Sequence, residues 1–535
     1  MIGTSFPEYF FIRTCIFLLQ YTTPLCLLAL AIVVAVGGGP AALSLPISIV
    51  LIAYCAIDLL YALFVYFPYN RRLKEEARHP PPLPPAERRA LFLRVLDNVP
   101  DVRQYLRVWF LGADDSETRR ENVRDFILWA FFDSWPGQES AEDDADLDDY
   151  IAEIEQRTGH RLEPGRGEAK SLRLTLDEVE TRYRSVVWYF IVGLVDLVTH
   201  CLLVWYGFEH HAQPRSKFFS VIPLRLQDLL AGRKRSVAPQ LNYWHRPHTA
   251  TDKLPVVFLH GIGIGLSTYV PYLSSLNPSS DEGDQIGIIA LEILPISFRL
   301  THSPLSQPEF LSQITAIVDS HGWTEFVLVS HSYGSVLATH MLQSAILSPR
   351  IESIVLIDPV SILLHLPGVA YNFTRRKPRR ANEWQLWYFA SMDPGVAHCL
   401  GRHFHWKENI AWKEDLLQVV GKPAAEDGVD GSIGSARGER TRKVAVSLSE
   451  RDLIVDTPTV AQYLAGDDEW MLSNDTRWQG GAHHVAGHDG ESGRGHLTRD
   501  GIEMFWFPGL DHAQVFDVKE SRNLLSSVTR RYCEA

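Results

Sequence analysis

The chain has 535 residues, a formal net charge of −13 and 46% hydrophobic residues. This length accommodates a catalytic domain together with substantial additional sequence. The acidic balance argues against nucleic-acid binding, because a nucleic-acid binder needs a basic face to gain from counterion release. Six cysteines without a C-x-x-C pair predict free thiols rather than a disulfide framework or a structural zinc site.

The N-terminal residues predict a transmembrane helical hairpin. From residue 14 to residue 70 the only charged side chain is Asp58, and two spans of about twenty residues, 14–36 and 45–67, fit into this stretch. The rival interpretation is a cleaved signal peptide, which the second apolar run and the missing basic n-region disfavour. Because basic residues crowd after the second run, the positive-inside rule places its end in the cytosol.

The middle third predicts a linker followed by helices. The proline run at 80–85 is typical of a stiff polyproline linker. Residues 91–132 have the apolar spacing of packed helices, with charges on the opposite face. The acidic, glycine-containing stretch 138–167 is most simply a solvated loop.

A third apolar run, 186–208, is long enough to cross a bilayer but carries Asp196 and His200 on one predicted helix face. Three interpretations remain open: a third span, a helix lying in the membrane interface, and a buried core helix. If 186–208 is a third span, all residues after it lie on the opposite side of the membrane. Only then could the N-x-T sequons at 372–374 and 474–476 be glycosylated.

From Leu254 onward, short apolar runs alternate with amphipathic stretches, as in a mostly parallel sheet covered by helices. The predicted strand 255–259 ends in the glycine-rich loop 260–265, which allows backbone amides to approach a ligand closely. A phosphate-binding loop is disfavoured, because no Gly-Lys-Ser/Thr follows. Later, the strand 326–329 leads through Ser-His-Ser-Tyr-Gly at 330–334 into a helical pattern. This is the context of a nucleophile elbow in which Ser stands at the first Gly position.

Together these motifs resemble the α/β-hydrolase family. The resemblance covers about half of the chain and implies a doubly wound, mostly parallel sheet with a helical cap. It also implies a serine nucleophile, Ser332, and an oxyanion hole formed by the backbone amides of Tyr333 and Ile262. Gly261 is the neighbour that could be confused with Ile262. No metal or organic cofactor is implied.

The family order, nucleophile then acid then histidine, identifies the remaining candidates. Asp452 follows the predicted strand 443–448 and is the expected acid. Asp358 follows an earlier strand and is the alternative acid, and Asp456 is a third candidate. His512 lies in the loop after the last predicted strand, 504–507, and is the expected base.

The connection between the strands that precede Asp358 and Asp452 is far longer than an ordinary loop and predicts a cap insertion at about 361–440. The cap is aromatic and basic, so it is either a lid that contacts acyl chains and anionic headgroups or a helical cap that packs its own aromatic side chains. A metal site formed by His398, Cys399, His403 and His405 is disfavoured. The histidines within the low-complexity stretch 480–495 are expected to be solvated rather than ligands.

The predicted organisation is a transmembrane hairpin at 1–70, a linker and helical region at 71–240, and a hydrolase domain at 241–535. The N-terminal half matches no family by motif, beyond a general resemblance to fungal-type membrane-anchored hydrolases. The chain is expected to be an integral membrane protein of an endomembrane, with a cytosolic catalytic domain if 186–208 does not span.

The predicted function is that of a lipase- or esterase-like serine hydrolase that cleaves a hydrophobic lipid ester or thioester through an acyl-enzyme on Ser332. The expected partners are this substrate and membrane lipids, not nucleic acid, and the sequence does not predict an oligomeric state. One alternative is a catalytically silent membrane adaptor with a hydrolase fold, which only Ser330 at the first elbow position supports. The other is an acyltransferase that uses the same triad.

Overall fold

A nine-stranded sheet forms the centre of this computed structural model, which describes residues 1–137, 141–230, 234–278, 283–419, 442–466 and 494–534. The strands are β1 (Glu209–His211), β2 (Asn242–Arg246), β3 (Val256–Leu259), β4 (Ile288–Glu292), β5 (Phe326–His331), β6 (Ile351–Ile357), β7 (Lys443–Ser449), β8 (Arg494–Leu497) and β9 (Ile502–Phe507). Their spatial order is β1-β2-β4-β3-β5-β6-β7-β9-β8. The six strands from β4 to β9 in this order are parallel, and antiparallel pairs close both edges.

The sheet is buried on both faces, as expected for parallel strands. Along β3, Val257 and Leu259 belong to one hydrophobic core, whereas Val256 and Phe258 belong to a second core on the opposite face. The predicted α/β-hydrolase fold is therefore confirmed. Strand β1 belongs to this sheet although it lies upstream of residue 241, the predicted start of the hydrolase domain.

Nineteen α-helices lie in the described part of the chain. They are α1 (Phe6–Val36), α2 (Pro46–Tyr61), α3 (Phe67–Arg71), α4 (Pro85–Asp97), α5 (Val102–Trp109), α6 (Arg120–Phe132), α7 (Ala141–Thr158), α8 (Val186–Trp205), α9 (Leu226–Leu230), α10 (Val270–Ser275), α11 (Gln307–Ser320), α12 (Gly334–Gln343), α13 (Pro367–Thr374), α14 (Ala381–Gln385), α15 (Pro394–Arg402), α16 (Trp406–Asn409), α17 (Lys413–Leu417), α18 (Thr457–Ala465) and α19 (Lys519–Cys533). Helices α13 to α17 form the described part of the predicted cap. The rest of the predicted cap, 420–440, and the histidines of the 480–495 stretch lie outside the described residues.

Among the described residues, three helical segments are long and apolar enough to cross a membrane: Phe6–Val36, Pro46–Lys74 and Val186–Trp205. One carboxylate joins them. The Thr23 hydroxyl of α1 donates to Asp58 Oδ2 on α2 over 2.6 Å, and the Val186 amide at the start of α8 donates to Asp58 Oδ1 over 2.9 Å. Asp58 is therefore a helix-pairing residue, which is the usual role of a lone polar group among apolar helices.

The first half of α1 packs on the cap. Its side chains Ile12 and Ile16 form a small buried core with Ala381 and Tyr388. The Arg13 guanidinium lies 3.7 Å from the centre of the Trp384 ring, a cation–π contact. The hairpin is thus attached directly to the domain that carries the predicted catalytic residues.

The prediction that 138–167 is a solvated loop was wrong, because α7 occupies most of this stretch. Leu147, Tyr150, Ile151 and Ile154 recur at helical spacing and are buried against the aromatic side chains of α4 and α6. The acidic residues that suggested a loop lie on the other face of an amphipathic helix.

Helix α8 is attached to the hydrolase domain by an ion-pair cluster. Asp196 lies 2.6 Å from an Arg299 nitrogen and 3.1 Å from Arg225 Nε, and Arg225 forms a bidentate pair with Glu292 at the end of β4. These side chains are buried. The opposite face of α8, from Phe190 to Trp205, is apolar and exposed.

Replacing Asp196 should therefore destabilise the protein. We expect Asp196→Ala to cost about 3–5 kcal/mol of unfolding free energy, because it leaves the buried Arg299 guanidinium without its carboxylate and removes one of the carboxylates that bind Arg225. Thermal unfolding in detergent measures this effect. The matched control is Leu197→Ala on the exposed face of the same helix, and an equal loss in both variants would contradict the assignment.

Candidate active site

The turn between β5 and α12 holds Ser332 in the geometry expected of a nucleophile elbow. Its φ is +51°, a strained value for a residue other than glycine. The Ser332 amide donates to the Ile357 carbonyl over 3.0 Å, which ties the turn to β6. A Cβ atom at Gly334 would lie only 2.3 Å from the Leu259 carbonyl oxygen, so this position requires glycine. Ser330, in contrast, is buried at the end of β5 without disturbing the turn.

The structure brings three of the predicted residues into one chain of contacts. Ser332 Oγ lies 2.8 Å from His512 Nε2, and His512 Nδ1 lies 2.6 Å from Asp452 Oδ2. The other Asp452 oxygen accepts hydrogen bonds from the amides of Ile454 and Val455, over 2.8 and 2.9 Å. The carboxylate is thereby fixed in the orientation that meets the imidazole.

The alternative acid, Asp358, is bound differently. It is fully buried and accepts hydrogen bonds from the Ser449 amide and hydroxyl and from the Ala513 amide. Burial, together with the nearby charge of Asp452, raises the pKa of Asp358 to about 6. Its contacts thus link the end of β7 to the loop that carries His512, and Asp452 is the carboxylate that meets the ring.

The environment of His512 favours its protonated form. Burial alone would lower the pKa of His512, but the charge and hydrogen bond of Asp452, aided by Asp358 and Asp511, raise this pKa to about 9. An imidazolium formed during a reaction would therefore be stabilised at this position.

Two backbone amides near Ser332 remain free. In the part of the chain that the structure describes, the amides of Ile262 and Tyr333 donate no hydrogen bond. The Gly261 amide, in contrast, donates to the Tyr269 hydroxyl over 3.1 Å. This contact engages Gly261, so the geometry favours Ile262 as the second oxyanion donor over the neighbour left open by the sequence.

An apolar cavity with about 660 Å³ of empty space, including its open mouth, lies beside Ser332. The cap lines one side with Phe373 and Phe404. Trp109 and Trp129 line another side and come from α5 and α6, outside the predicted cap. The sequence did not predict this contribution, because only the tertiary contact between the helical region and the cap creates it.

Asp511 is a site residue that the sequence analysis missed. Its carboxylate accepts hydrogen bonds from the amides of Leu453 and His512 and from the Asn382 side chain of the cap, over 2.9, 2.7 and 2.6 Å. It therefore joins the acid loop, the histidine loop and the cap. Its position directly before His512 was the only signal available in the sequence.

Histidines and carboxylates that could hold a metal converge at two places among the described residues: Asp358, Asp452 and His512, and a cluster of His211, His245 and His321. In this cluster His245 and His321 stack with ring centres 3.8 Å apart, and the Tyr243 hydroxyl lies 3.1 Å from His321 Nε2. His211 lies on β1, His245 on β2 and His321 directly after α11. The cap residues His398, Cys399, His403 and His405 do not form such a group.

Comparison with known proteins identifies the fold. Residues 256–515 match the model of the alpha/beta hydrolase family, whereas no curated protein gives a significant match. A bacterial membrane phospholipase A is 10% identical with a TM-score of 0.35, and the alignment covers 64% of this chain and 92% of that one. The carboxylesterase CesB from Bacillus subtilis is 10% identical (TM-score 0.32, 64% and 96% covered). A putative lipase from Acinetobacter baumannii is 8% identical (TM-score 0.34, 63% and 94% covered).

The close packing of the elbow can be tested by adding one methyl group. We expect Gly334→Ala to destabilise the protein by about 1–3 kcal/mol or more, because the new Cβ collides with a backbone carbonyl that cannot rotate away. Gly368→Ala is the control, since a Cβ there meets open space and should be neutral or slightly stabilising. Thermal unfolding compares the two, and similar melting temperatures would contradict the packing argument.

Proposed function

We propose that this chain is a membrane-anchored serine hydrolase that cleaves a hydrophobic, lipid-type ester or thioester. The match of residues 256–515 to the model of the alpha/beta hydrolase family supports this proposal. The observation that carries the proposal is the contact chain from Ser332 through His512 to Asp452, with the free amides of Ile262 and Tyr333 beside it. Such an arrangement performs nucleophilic acyl transfer without a cofactor.

In the proposed mechanism His512 Nε2 accepts the Ser332 proton as Oγ attacks the ester carbonyl. Asp452 keeps the other ring nitrogen protonated and stabilises the imidazolium that forms. The amides of Ile262 and Tyr333 bind the oxyanion of the tetrahedral intermediate, where each donor contributes about 3–4 kcal/mol. His512 then protonates the leaving group. In the second half of the reaction His512 accepts a proton from water as the water attacks the acyl-serine, and Ser332 is released with the acid.

The apolar cavity supports a substrate with a hydrocarbon chain. Its lining beside Ser332 is almost entirely aliphatic and aromatic, so the acyl chain would lose little by leaving a bilayer. A polar acyl group would find almost no hydrogen-bonding partners on this surface.

We place the hairpin of α1 and α2 in the membrane and α8 along its surface. Apart from Thr14 and Gln20, the exposed side chains along the two helices are apolar, which is typical of a lipid-facing surface. Helix α8 cannot be surrounded by lipid, because Asp196 binds two arginines of the hydrolase domain. The catalytic domain would then stay on the cytosolic side, with the basic residues that follow α2.

A fluorophosphonate probe tests the proposed nucleophile in membranes or detergent. Wild-type protein should be labelled and Ser332→Ala should not. Asp452→Asn should slow labelling by about 10⁴-fold, because the imidazole loses its orienting carboxylate, whereas Asp358→Asn, matched in chemistry and burial, should slow it far less. Equal losses in the two Asp variants would contradict the acid assignment, and unlabelled, folded wild type would favour the adaptor alternative.

The pH dependence of labelling tests the role of His512. Only the neutral imidazole can accept the Ser332 proton, and the pKa of His512 is raised to about 9. The labelling rate should therefore increase with pH, with a midpoint above the ordinary histidine value of about 6.5. In Asp452→Asn the slower reaction should have its midpoint at lower pH, because the charge that raises the pKa is gone. A midpoint that does not move would contradict this coupling.

A further inference from the structure

A large open cavity lies on the other side of the acid loop from the apolar one. It has about 2930 Å³ of empty space, including its mouth. One wall carries Asp452 and Leu453, and the opposite wall is the cap segment 375–380. Thr374 lines both cavities, so they are neighbours, with Ser332 lining the apolar one and Asp452 the larger one. We refer to the larger cavity as the basic vestibule.

The cationic side chains of the vestibule exceed the acidic groups available to pair with them. Its six cationic residues are Arg375, Arg376, Lys377, Arg379, Arg380 and Arg451. Arg375 pairs with Asp177, and Arg376 donates to the Leu453 carbonyl. The other four form no salt bridge with any residue that the structure describes.

The carboxylates that line the vestibule are mostly engaged elsewhere. Asp452 meets His512, and Asp511 accepts hydrogen bonds from the two loops and the cap. Glu383 accepts hydrogen bonds from the amides that precede α14. These hydrogen bonds leave the carboxylates charged, and Glu383 and Glu180 both line the vestibule with the cations. With Asp177, the partner of Arg375, five carboxylates stand against the six cations. The vestibule therefore keeps a small net positive charge that an anionic ligand would neutralise.

The vestibule also lies at the base of the membrane hairpin. Trp384 and Trp387 line it, and both pack against the first half of α1 through the small core that contains Ile12 and Ile16. Tryptophan and arginine side chains together are typical of the headgroup layer of a bilayer, where lipid phosphates lie.

From this arrangement we infer that the vestibule receives the phosphate-bearing headgroup of the substrate, whose acyl chain occupies the apolar cavity beside Ser332. The substrate class is then an anionic glycerophospholipid. This inference rests on the proposed function, since it assigns the two ends of the ester to the two cavities. The carbonyl carbon lies between them, and the alcohol that leaves after protonation by His512 departs on the vestibule side.

The experiment uses the full chain in neutral detergent with two substrates that share acyl chains, phosphatidylglycerol and phosphatidylcholine. Wild-type protein should hydrolyse phosphatidylglycerol with a kcat/KM about tenfold higher or more, and added salt should reduce this preference. The double variant K377E/R379E should lose it. The double variant K170E/K443E makes the same change in net charge with exposed lysines outside the vestibule and should keep it.

Fluorophosphonate labelling of Ser332 separates this inference from the proposed function. All rates are divided by the labelled fraction of each variant, so a folding defect does not imitate a loss of selectivity. If labelled wild type treats both lipids alike, or if K377E/R379E keeps the preference, the headgroup assignment is overturned while the hydrolase assignment stands. If wild type is not labelled, both are overturned.

A soluble substrate distinguishes the two sources of a phosphate group. Butanoyl coenzyme A carries phosphates on a water-soluble thioester. If it is cleaved faster than phosphatidylglycerol, and K377E/R379E abolishes that activity, the vestibule binds a soluble phosphorylated substrate and the lipid assignment is wrong. Slow cleavage that the variant does not change supports the lipid assignment.

Discussion

The contact between the start of α12 and the end of β3 is the constraint on which the site depends. Gly334 packs so closely on the Leu259 carbonyl that no side chain fits between them. This forces the chain through a sharp turn, and Ser332 takes a positive φ at the carboxyl edge of the sheet. The same closeness brings Ser332 beside the glycine-rich loop after β3, whose Ile262 amide is free. The proposed nucleophile and the proposed oxyanion donors are thus placed by one packing interaction, and strain of about 1–3 kcal/mol is retained because the surrounding sheet holds it.

The acid and the base of the proposed triad come from separate loops, and two further carboxylates hold these loops together. Asp358 joins Ser449 to the residue after His512, and Asp511 joins the residue after Asp452 to the cap. Both are buried, and burial raises the pKa of each. Both carboxylates accept hydrogen bonds from backbone amides. These bonds stabilise them close to the carboxylate of Asp452. Hydrogen-bonded buried carboxylates of this kind rigidify loops that have no regular secondary structure.

The N-terminal half is part of the site rather than a detachable anchor. Trp109 and Trp129 close the apolar cavity, and α1 packs against the cap beside the basic vestibule. Helix α8 is fixed to the sheet through Asp196 and presents its apolar face outward. In the proposed function this places the entrance to both cavities next to the bilayer, so a lipid substrate would reach Ser332 without crossing water. Selectivity would then depend on the charge of the vestibule more than on the shape of the apolar cavity.

The sequence by itself determined the hydrolase fold, the elbow and the order of its candidates, because these depend on local patterns: buried strands, small residues at tight turns, and a histidine after the last strand. It also identified the apolar helices from length and charge. The sequence left Asp452 and Asp358 as alternative acids, because both residues follow strands. Only the fold decides which of the two carboxylates contacts the His512 ring. The sequence missed Asp511, the tryptophans of α5 and α6 and helix α7, because their roles arise from contacts between residues far apart in the chain. Local periodicity predicts which face of a helix or strand is buried. Which other element packs against that face is decided only by the tertiary structure.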